Sequence, residues 1–290
     1  MASEVARRRK LVDESLLGFL SPATCGIPGR LREAMEYSLA AGGKRIRPVM
    51  LLSAGAAVGG DESALLPFAC AVEYIHTYSL IHDDLPAMDD DEFRRGRPTC
   101  HKAFGEAAAI LAGDALLTEA FRVMGESPLA ARDAGRAVRA MALLARSAGA
   151  EGMVGGQDLD LTARPADGVE EIHRRKTAAL IEASAGMGGI LGGGSGERIA
   201  ALRRYGAAVG LLFQVTDDML DETGTFEEMG KAVAKDRERG KLTFPGQFGM
   251  AAAAARAEAL GIEAQAALAS FGNEAETLRE IVRMVAARRS

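Results

Sequence analysis

The chain has 290 residues, 48% of them hydrophobic, and 35 Lys and Arg against 40 Asp and Glu, a formal net charge of −5. That length allows one large domain or two average ones, with apolar residues enough for a substantial core. A mildly acidic chain speaks against nucleic-acid binding, and abundant alanine and leucine with no tryptophan and few aromatics favour helix over sheet.

Near the N-terminus, Arg7, Arg8, Arg9 and Lys10 form a basic quartet, followed by Asp13 and Glu14. No long apolar region follows it, so no secretory signal is expected. No stretch approaches the apolar length that spans a bilayer, and a soluble, cytoplasmic protein is expected. The three cysteines, Cys25, Cys70 and Cys100, are odd in number and lack paired spacing. They fit free thiols in a reducing compartment.

The first chemical motif is Gly42-Gly43-Lys44-Arg45-Ile46-Arg47-Pro48. Glycines free the backbone, and Lys44 and Arg47 are expected to share a helical face at i, i+3. That resembles an anion site without P-loop spacing. Apolar residues then recur at helical period over 63–81, with Pro67 tolerable if it falls in the first turn. This helix ends in Asp83-Asp84-Leu85-Pro86-Ala87-Met88-Asp89, running on into Asp90, Asp91 and Glu92. Asp83 and Asp89 are six apart, unsuited to a straight helix. A break at Pro86 could turn Asp89 back toward Asp83. Arg94, Arg95 and Arg97 follow around Gly96, offering guanidinium forks for phosphate after acids for metal. A salt-bridged surface loop is the plainer alternative. His76 lies seven residues before Asp83, about two turns, on the same face. It is either a satisfied core histidine or a diphosphate ligand.

Helical patterns continue over 106–124, 132–150, 170–190, 197–221, 247–260, 262–271 and 274–288. Residues 164–168 read as a turn, Gly192 to Gly196 as a helix–helix connection, and Gly261 and Gly272 as separators of the last helices. The glycine run lacks the strand before it that a dinucleotide fingerprint needs. The second acidic cluster is Asp217-Asp218-Met219-Leu220-Asp221, placed after Leu211, Leu212, Phe213 and Val215. Asp217 and Asp221 share a helical face, with Asp218 to the side. Like charges at that spacing cost about 0.2–0.5 kcal/mol in an isolated helix, so the cluster reads as a metal site or as a solvated, acid-rich helix end. Clustered carboxylates with few softer ligands favour Mg²⁺. His76, His82, His101 and His173 form no zinc pattern, and no serine sits in a nucleophile elbow. The expected fold is all-α, one helical bundle over residues 1–290.

Taken together, GGKRIRP, YIHTYSLIHDDLPAMDDDEFRRGRPTCHKAFGEAAAILAGDALL, GGQDLDL, HRRKTAALI, FQVTDDMLD and the later GK…KDRERGKLTFP resemble the trans-isoprenyl diphosphate synthases. Among these the bacterial farnesyl diphosphate synthases are most similar. The resemblance runs in family order from Gly42 to Pro245 and implies an isoprenoid-synthase bundle around a central cavity, working as a homodimer. It implies that Lys44, Arg47, His76 and Arg95 hold the diphosphate of isopentenyl diphosphate. Asp83, Asp84, Asp89, Asp217, Asp218 and Asp221 would bind Mg²⁺, three ions per active site by family resemblance. Arg94, Lys176, Lys231 and Lys241 would clamp the allylic diphosphate, and Thr177 and Gln214 would place oxygens near the allylic cation. The segment from Ala232 to Lys235 departs from the commoner glycine-containing pattern, and Arg288-Arg289 resembles the basic tail that closes over substrate in some relatives; a frayed, solvated terminus is the alternative.

Tyr78 lies five positions before Asp83, about 7.5 Å along a helix, with Ser79 beside it. In the family a bulky ring there, together with the two-residue insertion in DDLPAMD, accompanies a C15 product. The expected product is therefore farnesyl diphosphate, from isopentenyl and dimethylallyl or geranyl diphosphates. Alternatives are a C10 or C20 synthase of the same fold, a class I terpene cyclase, or a non-catalytic partner subunit.

Overall fold

Helices dominate the computed structural model, which describes residues 3–21, 26–162, 168–223 and 242–289. In chain order come α1 (Glu4–Ser15), α2 (Gly29–Leu39), α3 (Ile46–Ala56) and α4 (Glu62–Asp83). A two-stranded hairpin, β1 (Phe93–Arg94) with β2 (Arg97–Pro98), precedes α5 (Cys100–Phe104), α6 (Glu106–Gly125), α7 (Pro128–Arg132), α8 (Ala134–Ala148) and α9 (Met153–Thr162). After α10 (Val169–His173) a π turn spans Arg174–Ala178 and leads into α11 (Ala179–Leu191) and α12 (Gly196–Thr223). The last helices are α13 (Phe244–Phe248), α14 (Met250–Ala267) and α15 (Glu276–Ala286).

The chain divides into two compact units, Met1–Val49 with Leu66–Ala137, and Met50–Leu65 with Val138–Ser290. In the first, Val12, Leu16, Leu20, Met35, Leu39, Phe68, Tyr74 and Ile75 are all fully buried. Each large apolar side chain so placed contributes about 1.5–3 kcal/mol over an exposed one. Tyr74 pairs its one polar atom by donating its hydroxyl to Leu16 O. In the second unit, α11 is buried on every side from Ala183 to Leu191, as a helix without a polar stripe requires. Tyr205 is fully buried there and donates to Leu278 O at 2.8 Å.

Local chemistry sets several helix starts. Ser3 caps α1 by accepting from Ala6 N, and Ser127 caps α7 with Pro128 in the first turn. Thr243 caps α13 in the same way through Gly246 N.

Several expectations change. Pro67 sits in the second turn of α4, beyond the first. The helix α4 is long and apolar enough, by length and composition, to cross a bilayer, contrary to the sequence reading; 78% of its apolar window is buried in the fold, as in a core helix. Gly261 lies inside α14 rather than between two helices, because a glycine with open space around it costs a helix only about 1 kcal/mol. Asp133 divides the segment 132–150, and the segment 170–190 contains the π turn. Cys70 and Cys100 are free and buried, whereas Cys25 lies outside the described residues.

Candidate active site

In the first unit, the loop before α3 carries three positive φ angles, Gly42 at 81°, Gly43 at 138° and Arg45 at 49°. The helix begins only at Ile46, so Lys44 and Arg47 do not share a helical face as expected. Arg45 pins the loop. Its Nε donates to Asp13 Oδ1 at 2.8 Å, Nη1 to Glu73 Oε1 at 2.6 Å and Nη2 to Leu39 O at 2.6 Å. Arg47 Nε is buried and has no acceptor among the described residues. Burial brings Arg47 down to about 10, with Glu73 opposing and Arg95 adding to the fall.

Arg95 reaches this loop from the hairpin. Phe93 pairs with Pro98 and Arg94 with Arg97, leaving Arg95 and Gly96 as the two-residue turn. Both have positive φ, 53° and 73°, which the twist of a tight hairpin demands. The turn directs Arg95, whose Nη1 donates to Gly42 O. His76 stands in the same electrostatic surroundings. Burial, then Arg47, Arg95, Arg94 and Arg45, hold it well below its ordinary value, so the ring is neutral near pH 7. So many cationic groups, one with an orphaned N–H, suit a multiply charged oxyanion.

The first acidic cluster closes on itself at the end of α4. Asp89 N donates to Asp83 O at 2.8 Å and Asp91 N to Asp84 O at 3.2 Å. The break at Pro86 therefore does return Asp89 to Asp83, as the sequence suggested. Asp84 is buried and receives Arg94 Nε at 2.7 Å and Nη2 at 2.6 Å. Burial raises the Asp84 carboxyl above its ordinary value, against the pull of Arg94. For Arg94 burial opposes the charge, but the Asp84 hydrogen bond and the charges of Asp84, Asp91 and Asp83 outweigh it and raise its value.

Tyr78 is buried on α4, and its ring meets His82 edge-on, centroids 5.8 Å apart at 75°. His82 Nε2 in turn lies 3.1 Å from Ile110 O. Ser79 turns its hydroxyl back to donate to His76 O at 2.9 Å.

The second unit assembles the other candidates around the π turn. Lys176 Nζ donates to Asp160 Oδ2 of α9 at 2.6 Å. Thr177 Oγ1 donates to Gln214 Oε1 at 2.8 Å, and Gln214 Nε2 to Asp218 Oδ1 at 2.9 Å. Asp218, at 5% exposure, also accepts from Phe244 N at 2.8 Å and lies 3.2 Å from His173 Nε2 through Oδ2. Asp218 thus faces inward rather than to the side. Asp217 Oδ1 accepts from Arg288 Nη2 at 2.9 Å, and the Arg288 guanidinium lies 4.5 Å from the Phe213 ring centroid. Two glycines make room for the turn: a β-carbon on Gly156 would lie 2.2 Å from Lys176 N, and one on Gly210 2.5 Å from Ala178 Cα.

Lys231 and Lys241, with the segment from Ala232 to Lys235, lie outside the described residues. Four contributors escaped the sequence reading of roles. Arg45 and Glu73 form a buried pair that no spacing announces, whereas Asp160 and His173 stand in quoted motifs, GGQDLDL and HRRKTAALI, without an assigned task. Among the described residues no three His, Cys, Asp or Glu side chains gather closely enough to hold a metal ion by themselves. The donor set is nonetheless one of hard carboxylate oxygens. It fits Mg²⁺, which takes one or two carboxylates and completes its shell with water and substrate phosphate.

A family profile described as "Polyprenyl synthetase" matches residues 28–284. Heterodimeric geranylgeranyl pyrophosphate synthase large subunit 1 of Arabidopsis thaliana is 49% identical over 261 residues, covering 85% of this chain and 69% of that one. Among solved structures, an FPP/GFPP synthase from Zymomonas mobilis aligns with a TM-score of 0.82 at 34% identity over 97% of each chain. A geranylgeranyl pyrophosphate synthetase from Pyrococcus horikoshii aligns with a TM-score of 0.85 at 30% identity over 98% of each chain.

Proposed function

As the chain belongs to the polyprenyl synthetase family and is a prenyltransferase, we propose that it joins isopentenyl diphosphate to an allylic diphosphate and that its product is the C20 geranylgeranyl diphosphate. The observation that carries the chain length is the 49% identity to the geranylgeranyl large subunit of Arabidopsis thaliana, against 34% to the FPP/GFPP enzyme. This displaces the C15 product expected from Tyr78. The packing of Tyr78 supports the change: its ring is laid against His82 of its own helix. The C15 reading is kept as the second one, because a buried ring does stand five residues before Asp83.

The division of labour follows from the charges. Lys44, Arg47, His76 and Arg95 would receive the diphosphate of isopentenyl diphosphate, a reading supported by the orphaned Arg47 Nε. Asp83, Asp84 and Asp89, and separately Asp217 and Asp221, are the carboxylates offered to Mg²⁺, whereas both oxygens of Asp218 are taken up within the protein. When bound, Mg²⁺ would neutralise the charge that gathers on the departing diphosphate. Arg94 and Lys176 would add cationic donors to the allylic diphosphate, each leaving the carboxylate that holds it here. Breaking the allylic C–O bond leaves a carbocation, and the electron pair goes with the diphosphate. Thr177 Oγ1 would lie against that cation, a positioned electrostatic contact. The double bond of isopentenyl diphosphate then supplies the pair for the new C–C bond, and the cation so formed loses a proton to the departed diphosphate, its C–H pair becoming the new double bond.

The homodimer implied by resemblance stands beside a relative named as the large subunit of a heterodimer. Incubation of the purified chain alone with dimethylallyl diphosphate, isopentenyl diphosphate and Mg²⁺, with the product sized by chromatography, tests the proposal. A C20 product supports it, and a C15 product would replace it with the second reading. Sedimentation of the same sample separates a self-paired enzyme from one that needs a different subunit.

A further inference from the structure

Both carboxylate oxygens of Asp218 accept a hydrogen bond from the protein. Oδ2 takes Phe244 N and faces His173 Nε2, and Oδ1 takes Gln214 Nε2. An ionised carboxylate can only accept. The Gln214 amide must therefore turn its NH₂ to Asp218 and its oxygen to Thr177, and the Thr177 hydroxyl must donate its one proton to that oxygen. A hydroxyl so committed shows only lone pairs to whatever else approaches it. Asp217 is different: its side chain is 33% exposed and is held through Oδ1.

We infer that Asp218 is a positioning residue and not a metal ligand. Acting through Gln214, it fixes the polarity of the Thr177 hydroxyl so that oxygen lone pairs, never the O–H, meet the electron-poor allylic carbon. The inference rests on the prenyl-transfer reading. The charge of Asp218 thereby reaches the reacting carbon through two neutral groups, neither of which could orient itself.

The Asp218→Asn variant makes this concrete. Oδ2 serves the backbone Phe244 N–H, which cannot turn, and Oδ1 serves the Gln214 amide, which can, so an asparagine keeps its oxygen toward Phe244 N and turns its NH₂ on Gln214. The Gln214 amide must then flip, its NH₂ now donating to Thr177, whose O–H is driven outward toward the cation. After the allylic C–O bond breaks, an unsupported cation is open to a water lone pair. The products of that side reaction are the allylic alcohol, inorganic diphosphate and a proton.

The test measures four things on wild type and variants: turnover, the ratio of allylic alcohol to prenyl diphosphate, the Mg²⁺ concentration for half-maximal rate, and calorimetric binding of inorganic diphosphate with Mg²⁺. Asp218→Asn is expected to lower turnover about 10²-fold and raise the alcohol share, with Mg²⁺ requirement and diphosphate binding unchanged. Adding Gln214→Glu should restore both, since the new glutamate accepts from the introduced asparagine on one oxygen and from Thr177 on the other. Thr177→Val, a near-isosteric change, should reproduce the raised alcohol share without touching Asp218. A shifted Mg²⁺ requirement or weakened diphosphate binding in Asp218→Asn would assign Asp218 to the metal and overturn the inference. So would an Asp218→Asn/Gln214→Glu double variant no better than the single one, or an unchanged alcohol share in Thr177→Val. A wild type that makes no prenyl product at all would instead overturn the proposed function, and this inference with it.

Discussion

Gly156 and Lys176 meet backbone to backbone, with room for a hydrogen and none for a methyl group: a β-carbon at 156 would stand 2.2 Å from Lys176 N. Gly156→Ala must push α9 off the π turn and carry Asp160 with it. Overpacking of this kind costs about 1–3 kcal/mol. The melting temperature and the turnover number should both fall. The KM for isopentenyl diphosphate should hold, because its proposed ligands come from other segments.

Removing Arg45 should be more damaging than its position between two site residues suggests. It is 4% exposed and holds the buried Glu73. Arg45→Met leaves that carboxylate without its partner, a loss of about 3–5 kcal/mol when a buried pair is broken from one side. Urea denaturation should show this. Adding Glu73→Leu should recover part of the stability, since the stranded charge is gone.

His76 predicts a specific acid sensitivity. Its value is depressed in the folded protein, first by burial and then by the surrounding arginines. Below the ordinary 6.5 the unfolded chain therefore binds a proton that the folded one refuses. Stability is fully present above 6.5 and is lost as pH falls toward the depressed folded value, by up to about 1.4 kcal/mol per pH unit. The stability gap between wild type and His76→Asn should shift in favour of the variant between about pH 7 and about pH 5. Parallel denaturation curves at the two pH values read this directly.

Arg288 and the metal want the same carboxylate. Its Nη2 holds Asp217 Oδ1 at 2.9 Å, and Asp217 is proposed to ligate Mg²⁺. A partly exposed ion pair contributes about 0.2–1 kcal/mol. Arg288→Ala should accordingly lower the Mg²⁺ needed for half-maximal rate, by about fivefold at most. A rate titrated against Mg²⁺ at saturating substrate tests this.

Tyr78→Ala separates the two readings of chain length. With the ring seated on His82, shortening it should leave a C20 product at C20 by reversed-phase chromatography of the dephosphorylated prenols. A wild-type C15 product that lengthens in the variant would show that the ring itself is the floor.

The helical class was legible because apolar residues recur at helical period almost throughout, and the return of Asp89 to Asp83 followed from one proline. What the sequence hid were long-range partners. Nothing local says that Arg45 would seek Asp13 and Glu73, or that Asp160 would hold Lys176. The Lys44–Arg47 pairing failed for a local reason: an arginine at a φ of 49° is too uncommon to expect, yet Asp13, Glu73 and Leu39 O hold Arg45 there. The C15 reading rests on one side chain, and spacing places Tyr78 on the helix but not the direction of its ring.

The π turn at Arg174–Ala178 gives this helix one residue more than a plain α-helix of its length would carry. Each α-helical residue advances the winding by about 100°. Deleting a single residue from the turn would let α10 and α11 fuse into one regular helix, tolerable to the fold, while Lys176 and Thr177 rotated away from Asp160 and Gln214. The reverse event, an insertion, is a simple route by which a silent helix acquires this site. Length changes here, more than side-chain replacements, are where relatives without the activity should be sought.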